Sequence, residues 1–334
     1  MLTVLIAKQL LLLNLVAGLL LVTGCSINQS MLAQLKANPA INGSAELQGL
    51  AHFPQQYDQC GPASLATVLA FNGVQASPQQ LKPHLYIPAK GGTLTVELVA
   101  RARQYGLVAY ALTPKLEDIF LELDAGHPVL VMQNLGLRSL PKWHFAVAIG
   151  YNLEQQQILL RSGPDIRYPT DLTLFKQTWD NADNWAQVIL PPDKLPATAT
   201  LPRYMQAANT LEQLDQLDSA FMAYQQAAER WPDSPAPLLG LGNISYSHQR
   251  YADAVNYFQR YIKTSPDPAP GWNNLAYALM AAGCRTSALN AINCAISLAP
   301  DQPGYNASLQ ELTSDTGSGN VTASCALPNC KRPL

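Results

Sequence analysis

The sequence is poor in charge: Asp, Glu, Lys and Arg make up 13% of its 334 residues, and the net charge is −2. It contains no lysine or arginine run and no basic face, so nucleic-acid binding has no electrostatic footprint. Cysteine is scarce as well, with six residues, and their spacings match no zinc pattern. Neither a metal nor a cofactor is expected. Long apolar runs are limited to Leu10–Val22, which is marginal in length for a membrane span and lacks basic residues on its far side. What the chain does have is apolar content, 48% of residues, enough at this length for two domains with separate cores.

The first 24 residues read as a targeting segment, with Lys8 as the charge preceding the apolar run. The run closes on Leu21-Val22-Thr23-Gly24-Cys25, which resembles the lipobox of bacterial lipoproteins. That resemblance implies that Cys25 is diacylated on sulfur and becomes the N-terminus, a two-chain anchor that holds where one chain does not. Ser26 follows, and similarity to sorted lipoproteins points to the outer membrane, facing the periplasm. Residues 25–49 are small and polar and read as a tether. Export also sets the redox compartment. Cys284, Cys294, Cys325 and Cys330 form an even set suited to disulfides, with three pairings open and neighbour pairing, Cys284 with Cys294 and Cys325 with Cys330, preferred. Cys60 is left over.

Cys60 stands where a loop becomes a helix. Gly61 and Pro62 follow it, then Leu65, Ala66, Val68 and Leu69 at helical spacing. Proline belongs in a first helical turn, where its missing N–H leaves no partner unmet. The unpaired amides and dipole of that turn favour a thiolate. Gly73 and Pro78 break the pattern; helices follow over Thr95–Tyr105 and Lys115–Asp124. Strands are expected at Pro128–Gln133, His144–Tyr151, Gln157–Arg161 and Trp185–Leu190. Helices followed by a run of strands on short turns predict an α+β domain over residues 50–190 with an antiparallel sheet. Of the five histidines, His144 is the one that opens an apolar strand, where a helix-borne thiol can meet it.

The segment Gln55…Gln59-Cys60-Gly61-Pro62-Ala63-Ser64-Leu65, with His144-Phe145-Ala146-Val147-Ala148-Ile149-Gly150-Tyr151, resembles the cysteine peptidases that process bacteriocin leaders at a double glycine, in their free-standing form. The resemblance implies a papain-like fold, Cys60 as nucleophile, His144 as base, and Gln55 as oxyanion donor, with Gln56 and Gln59 as alternatives. One position departs from the pattern: the family carries Asp-Pro on the strand after the histidine, and Ser162 stands there in Leu159-Leu160-Arg161-Ser162-Gly163. Asp165 is three residues further on and can reach in from the turn; Asp171 and Asp183 are less well placed. A hydroxyl in place of the carboxylate weakens stabilisation of the imidazolium without abolishing the Cys–His pair. The expected activity is therefore peptide hydrolysis. The alternatives are a papain-like fold kept for peptide binding, or another Cys–His acyl transfer.

Pro191 to Pro202 is a Pro-rich linker. Beyond it the chain repeats every 34 residues, with Pro232, Pro266 and Pro300 in register, as are Ala220, Ala254 and Ala288. Tyr204, Leu238 and Trp272 share one large apolar position and Tyr224, Phe258 and Ile292 another, with small residues at Ala208, Gly242 and Ala276. This resembles three tetratricopeptide repeats over 203–302, an all-α solenoid whose concave face binds a peptide or protein partner. A disulfide between Cys284 and Cys294 across the third hairpin is expected, and residues 303–334 read as a flexible tail, with a small loop closed by Cys325 and Cys330.

Overall fold

The computed structural model describes residues 29–55, 59–314 and 324–331. The targeting segment, Cys25 and Gln56 lie outside the described residues. The described residues form two compact units, one within 29–102, 111–189 and 196–198 and the other within 103–110, 190–195 and 199–331.

The first unit begins with α1 (residues 29–37) and β1 (Ser44–Glu46). Residues 44–46, assigned to the tether by composition, instead join the sheet, pairing Ser44 with Asn152 and Glu46 with Gly150. The Asn42 carbonyl accepts from the Tyr151 hydroxyl at 2.9 Å, and the same hydroxyl lies 2.8 Å from Asp124. Next come α2 (Cys60–Phe71) and α3 (Pro78–Leu85). Pro78 breaks nothing. It sits in the first turn of α3 behind a capping box in which Ser77 accepts from the Gln80 amide and Gln80 answers to the Ser77 amide. A short hairpin of β2 (Tyr86–Ile87) and β3 (Gly92–Thr93) leads to α4 (Thr95–Gln104); β4 (Val108–Ala111) falls mostly within the second unit, and α5 (Leu116–Asp124) continues the first. Then follow β5 (Val129–Asn134), β6 (Trp143–Asn152), β7 (Gln157–Ser162), β8 (Asp165–Asp171), α6 (Leu172–Asp180) and β9 (Ala186–Leu190).

Within the first unit the main sheet has the order β9-β5-β6-β7-β8, with β1 also on β6. The resolved pairings among β5, β6, β7, β8 and β9 are all antiparallel, the mixed α+β architecture anticipated from the order of elements. α2 is apolar on every side and buried from Gly61 through Leu69, as expected of a helix that fills a core rather than covers one. Its close fit is fixed by Gly61, where a Cβ would lie 2.6 Å from the Thr93 hydroxyl oxygen on β3. Residues 197–198 are held by the fully buried Glu122, whose carboxylate accepts from the amides of Ala197 at 3.0 Å and Thr198 at 2.8 Å, and pairs with His127 at 2.8 Å.

The second unit stacks hairpins α7–α8 (Leu201–Gln213, Leu217–Arg230), α9–α10 (Ala236–Ser247, Tyr251–Thr264) and α11–α12 (Ala269–Ala281, Arg285–Leu298), followed by α13 (Pro303–Ser314). The 34-residue register reappears in the backbone: the hairpin turns place Asp215, Gln249 and Gly283 at φ of 59°, 61° and 85°. Small residues admit rings from the neighbouring helix. A Cβ at Gly240 would lie 2.4 Å from the Tyr224 ring, and one at Gly242 would lie 2.3 Å from that of Phe258.

The disulfides differ from the neighbour pairing. Cys284 bonds Cys325 and Cys294 bonds Cys330, so there is no staple across the third hairpin and no small terminal loop. The tail returns along α12 instead: the Ser287 hydroxyl donates to the Cys325 carbonyl at 2.6 Å, and the Gln259 amide of α10 to Ala326 at 2.8 Å. Residues 324–331 are thus strapped to the array rather than loose. The reason is spacing: Cys284 caps α12 and Cys294 lies ten residues further on, about 15 Å along the helix axis, too far apart for the two to bond each other.

Candidate active site

Cys60 is the first residue of α2 and is half-buried; among the described residues it is the only free cysteine. One helical turn on, Ser64 shares its face of the helix, with about 5–6 Å between such Cβ atoms. The Ser64 hydroxyl donates to the Phe145 carbonyl at 3.1 Å. Phe145 follows His144 directly, so a buried hydrogen bond ties the Cys60 end of α2 to the strand end that carries the imidazole.

His144 opens the packed part of β6, between exposed Trp143 and buried Phe145. Its Nε2 lies 2.8 Å from the Ser162 hydroxyl at the end of β7. Ser162, not a carboxylate, is the imidazole's partner. Asp165 is exposed and starts β8 opposite Ser162, with no hydrogen bond to His144 among the described residues. Asp171 caps α6, accepting from the Thr173 and Leu174 amides, and Asp183 is an exposed turn residue at φ 53°. Burial pushes the His144 pKa down from its ordinary 6.5. Among the described residues no ionised neighbour offsets that cost, which favours the neutral ring at pH 7. In the tautomer in which Nε2–H donates to the Ser162 oxygen, Nδ1 carries the lone pair and is the nitrogen available to a thiol proton. No hydrogen bond joins Cys60 to His144 among the described residues; catalytic pairs of this kind often tighten only on substrate.

Gln55 lies between these elements. Its backbone amide donates to the Gly163 carbonyl at 3.0 Å, and its side-chain oxygen accepts from the Gly163 amide at 3.0 Å. Its Nε2 donates to Ser64 at 3.2 Å and approaches the Phe145 carbonyl at 3.5 Å. The Gly163-Pro164 turn therefore carries both the partner of His144 and the support of Gln55, with His52 adding a 3.0 Å bond to Pro164. Gly163 has a φ of 61°, which glycine accepts at no steric cost. Gln59, the other described glutamine before the thiol, caps α2 only through its backbone. Ser64 escaped the sequence reading, although its i+4 spacing from Cys60 was a usable signal.

The family model of the Peptidase C39-like family matches residues 40–186, and a tetratricopeptide-repeat model matches 205–271 and 239–303. Residues 40–186 are a C39-like peptidase domain, followed by tetratricopeptide repeats. Among solved structures, one described as a C39-like peptidase from Bacillus anthracis is 19% identical, with a TM-score of 0.37, covering 45% of this chain and 98% of that one. The peptidase domain of Streptococcus ComA, a bifunctional transporter, is 21% identical with a TM-score of 0.34 over 43% of this chain and 99% of that one. The first repeat domain of Spaghetti (RPAP3), bound to an HSP90 peptide, is 12% identical with a TM-score of 0.32, covering 34% and 90%. No curated protein matches the chain. The family match starts at residue 40 and so takes in β1, which pairs with β6 in the same sheet.

The Ser162 partner makes a test of the imidazole. A carboxylate there favours the charged ring, so Ser162→Asp is expected to raise the His144 pKa by about 1–2 units. The acid limb of kcat/KM, below pH 6.5 in the parent, moves up accordingly. Stability follows the same sign: with a depressed folded-state pKa, the unfolded chain takes up the proton first, and stability is lost as pH falls below 6.5 toward the folded value. An unmoved acid limb would remove His144 from the reaction.

Proposed function

We propose that the C39-like domain is a cysteine peptidase, and the observation that carries this is the packing of α2, which starts at the free thiol, against β6, which carries His144 at its start. His144 Nδ1 takes the Cys60 proton, and the sulfur attacks the scissile carbonyl. The resulting oxyanion is stabilised by the Cys60 backbone N–H and by the Gln55 amide N–H that now makes the long 3.5 Å approach to Phe145. The imidazolium then protonates the leaving amine, and a water activated by the same nitrogen hydrolyses the thioester, returning thiol and imidazole. Because Ser162 is neutral, the imidazolium that forms during attack has a hydroxyl beside it and not a carboxylate.

On this reading the repeats recruit a peptide or protein partner, and Cys25 is acylated, holding the enzyme at a bacterial outer membrane facing the periplasm. The Leu-Val-Thr-Gly-Cys motif ahead of Ser26 supports the anchor, and two disulfides suit an oxidising compartment. A second reading, a peptide-binding module without turnover, is favoured by one observation, the missing carboxylate at Ser162.

Alkylation separates the two. Iodoacetamide at neutral pH is expected to label Cys60 in the native protein about tenfold or more faster than an ordinary thiol, through the helix start and the adjacent base. Mass spectrometry of the labelled peptide reads the rate. Labelling no faster than in the urea-unfolded chain would rule out an activated thiol and leave the binding module.

A further inference from the structure

The Cys–His–Gln scheme gives Ser64 no task, yet its hydroxyl touches two of the three elements on which the scheme depends. Ser64 is 1% exposed. Its single proton has one fixed destination, since the Phe145 carbonyl can only accept. The oxygen lone pairs must then face Gln55, which obliges Gln55 to present its Nε2 there rather than its Oε1. The other end of the same amide is fixed independently, because the Gly163 N–H can only donate and so must meet Oε1. The carboxamide thus has one permitted orientation, with its N–H₂ on the α2 side. The reverse orientation would aim a carbonyl oxygen at the place where the reaction builds negative charge.

We propose that Ser64 is a positioning residue for the oxyanion donor: by donating to Phe145 and accepting from Gln55 it holds the Gln55 N–H₂ group toward the reacting carbonyl. This role rests on the peptidase reading of the same site. It acts through Gln55, and therefore only on steps that form an oxyanion.

Two thiol reactions distinguish that role from simple packing. Acylation by p-nitrophenyl acetate passes through a tetrahedral oxyanion: sulfur bonds to the acetyl carbon, and p-nitrophenolate leaves with the bonding pair. Alkylation by iodoacetamide displaces iodide from a saturated carbon and forms no oxyanion. Ser64→Ala is expected to slow burst acylation of Cys60 about tenfold, and Gln55→Ala about 10²-fold, the scale of a lost oxyanion donor. The double variant should be no slower than Gln55→Ala alone, and alkylation should stay within about twofold of the parent throughout. Ser64→Thr and Ser64→Val form a second pair of equal shape that differ only in the hydroxyl, and only the threonine variant should keep the burst rate. Ser64→Ala acylating at the parental rate, losses that multiply in the double variant, or equal slowing of both reactions would each overturn the role. If the parent protein shows neither an acylation burst nor fast alkylation, the peptidase reading itself fails and Ser64 loses its role with it.

Discussion

Replacing His144 with alanine is expected to lower peptide hydrolysis by about 10³–10⁴-fold, and replacing Cys60 with alanine to remove it, with both variants folded. The size follows from how the two groups depend on each other. In the proposed mechanism a neutral imidazole is the proton acceptor that turns Cys60 from a weak nucleophile into a competent one, and it supplies the same proton to the departing amine. Neither substitution opens a large hole, since Cys60 and His144 are both only partly buried. Turnover of a fluorescence-quenched peptide library, with a thermal melt alongside, checks both. A His144→Ala variant that keeps more than a tenth of the parental rate would place the base elsewhere. His52 would then be examined first, since its ring already reaches the Gly163-Pro164 turn.

Reduction of the two disulfides is expected to lower the melting temperature of the repeat unit by more than about 10 °C. Cys284–Cys325 and Cys294–Cys330 close loops with sequence separations of 41 and 36 residues. Loop-closure entropy for rings of that size is worth about 4 kcal/mol each in the chain-entropy model, and because the loops overlap, the pair is worth less than the sum. Non-covalent contacts of the strap are few and partly exposed, chiefly Ser287 with Cys325 and Gln259 with Ala326, and do not replace that term. Differential scanning calorimetry with and without dithiothreitol measures it, and the pair of substitutions Cys284→Ala and Cys325→Ala should give part of the same loss. A melting point unchanged by reduction would mean that the array draws its stability from the hairpins alone.

The features legible in the sequence were those whose signal is local. Pro62 behind Cys60 marks a helix start, the apolar run from Phe145 marks a buried strand, and a 34-residue spacing needs no three-dimensional information. The elements that escaped depend on distant partners or on a rule applied too coarsely. Pro78 read as a breaker because the capping box of Ser77 and Gln80 was not weighed with it. β8 is exposed at nearly every position and carries Pro169, so it shows no alternation and no apolar run; its strand character comes from pairing with β7. β1 is three residues whose assignment exists only through β6. Disulfide connectivity was closed to sequence for the same reason, since it depends on where the tail returns. At the candidate site, residue types at motif positions were readable. The buried hydrogen bonds of Ser64, which decide how Gln55 is turned, were not.

The crossing order of the two disulfides has a consequence for proteolytic damage. Any backbone cut between Cys294 and Cys325 falls inside both loops at once. The two pieces stay joined by two covalent links, so a protease that nicks this region releases nothing. The nicked protein would run as a single band on a non-reducing gel and as two after reduction.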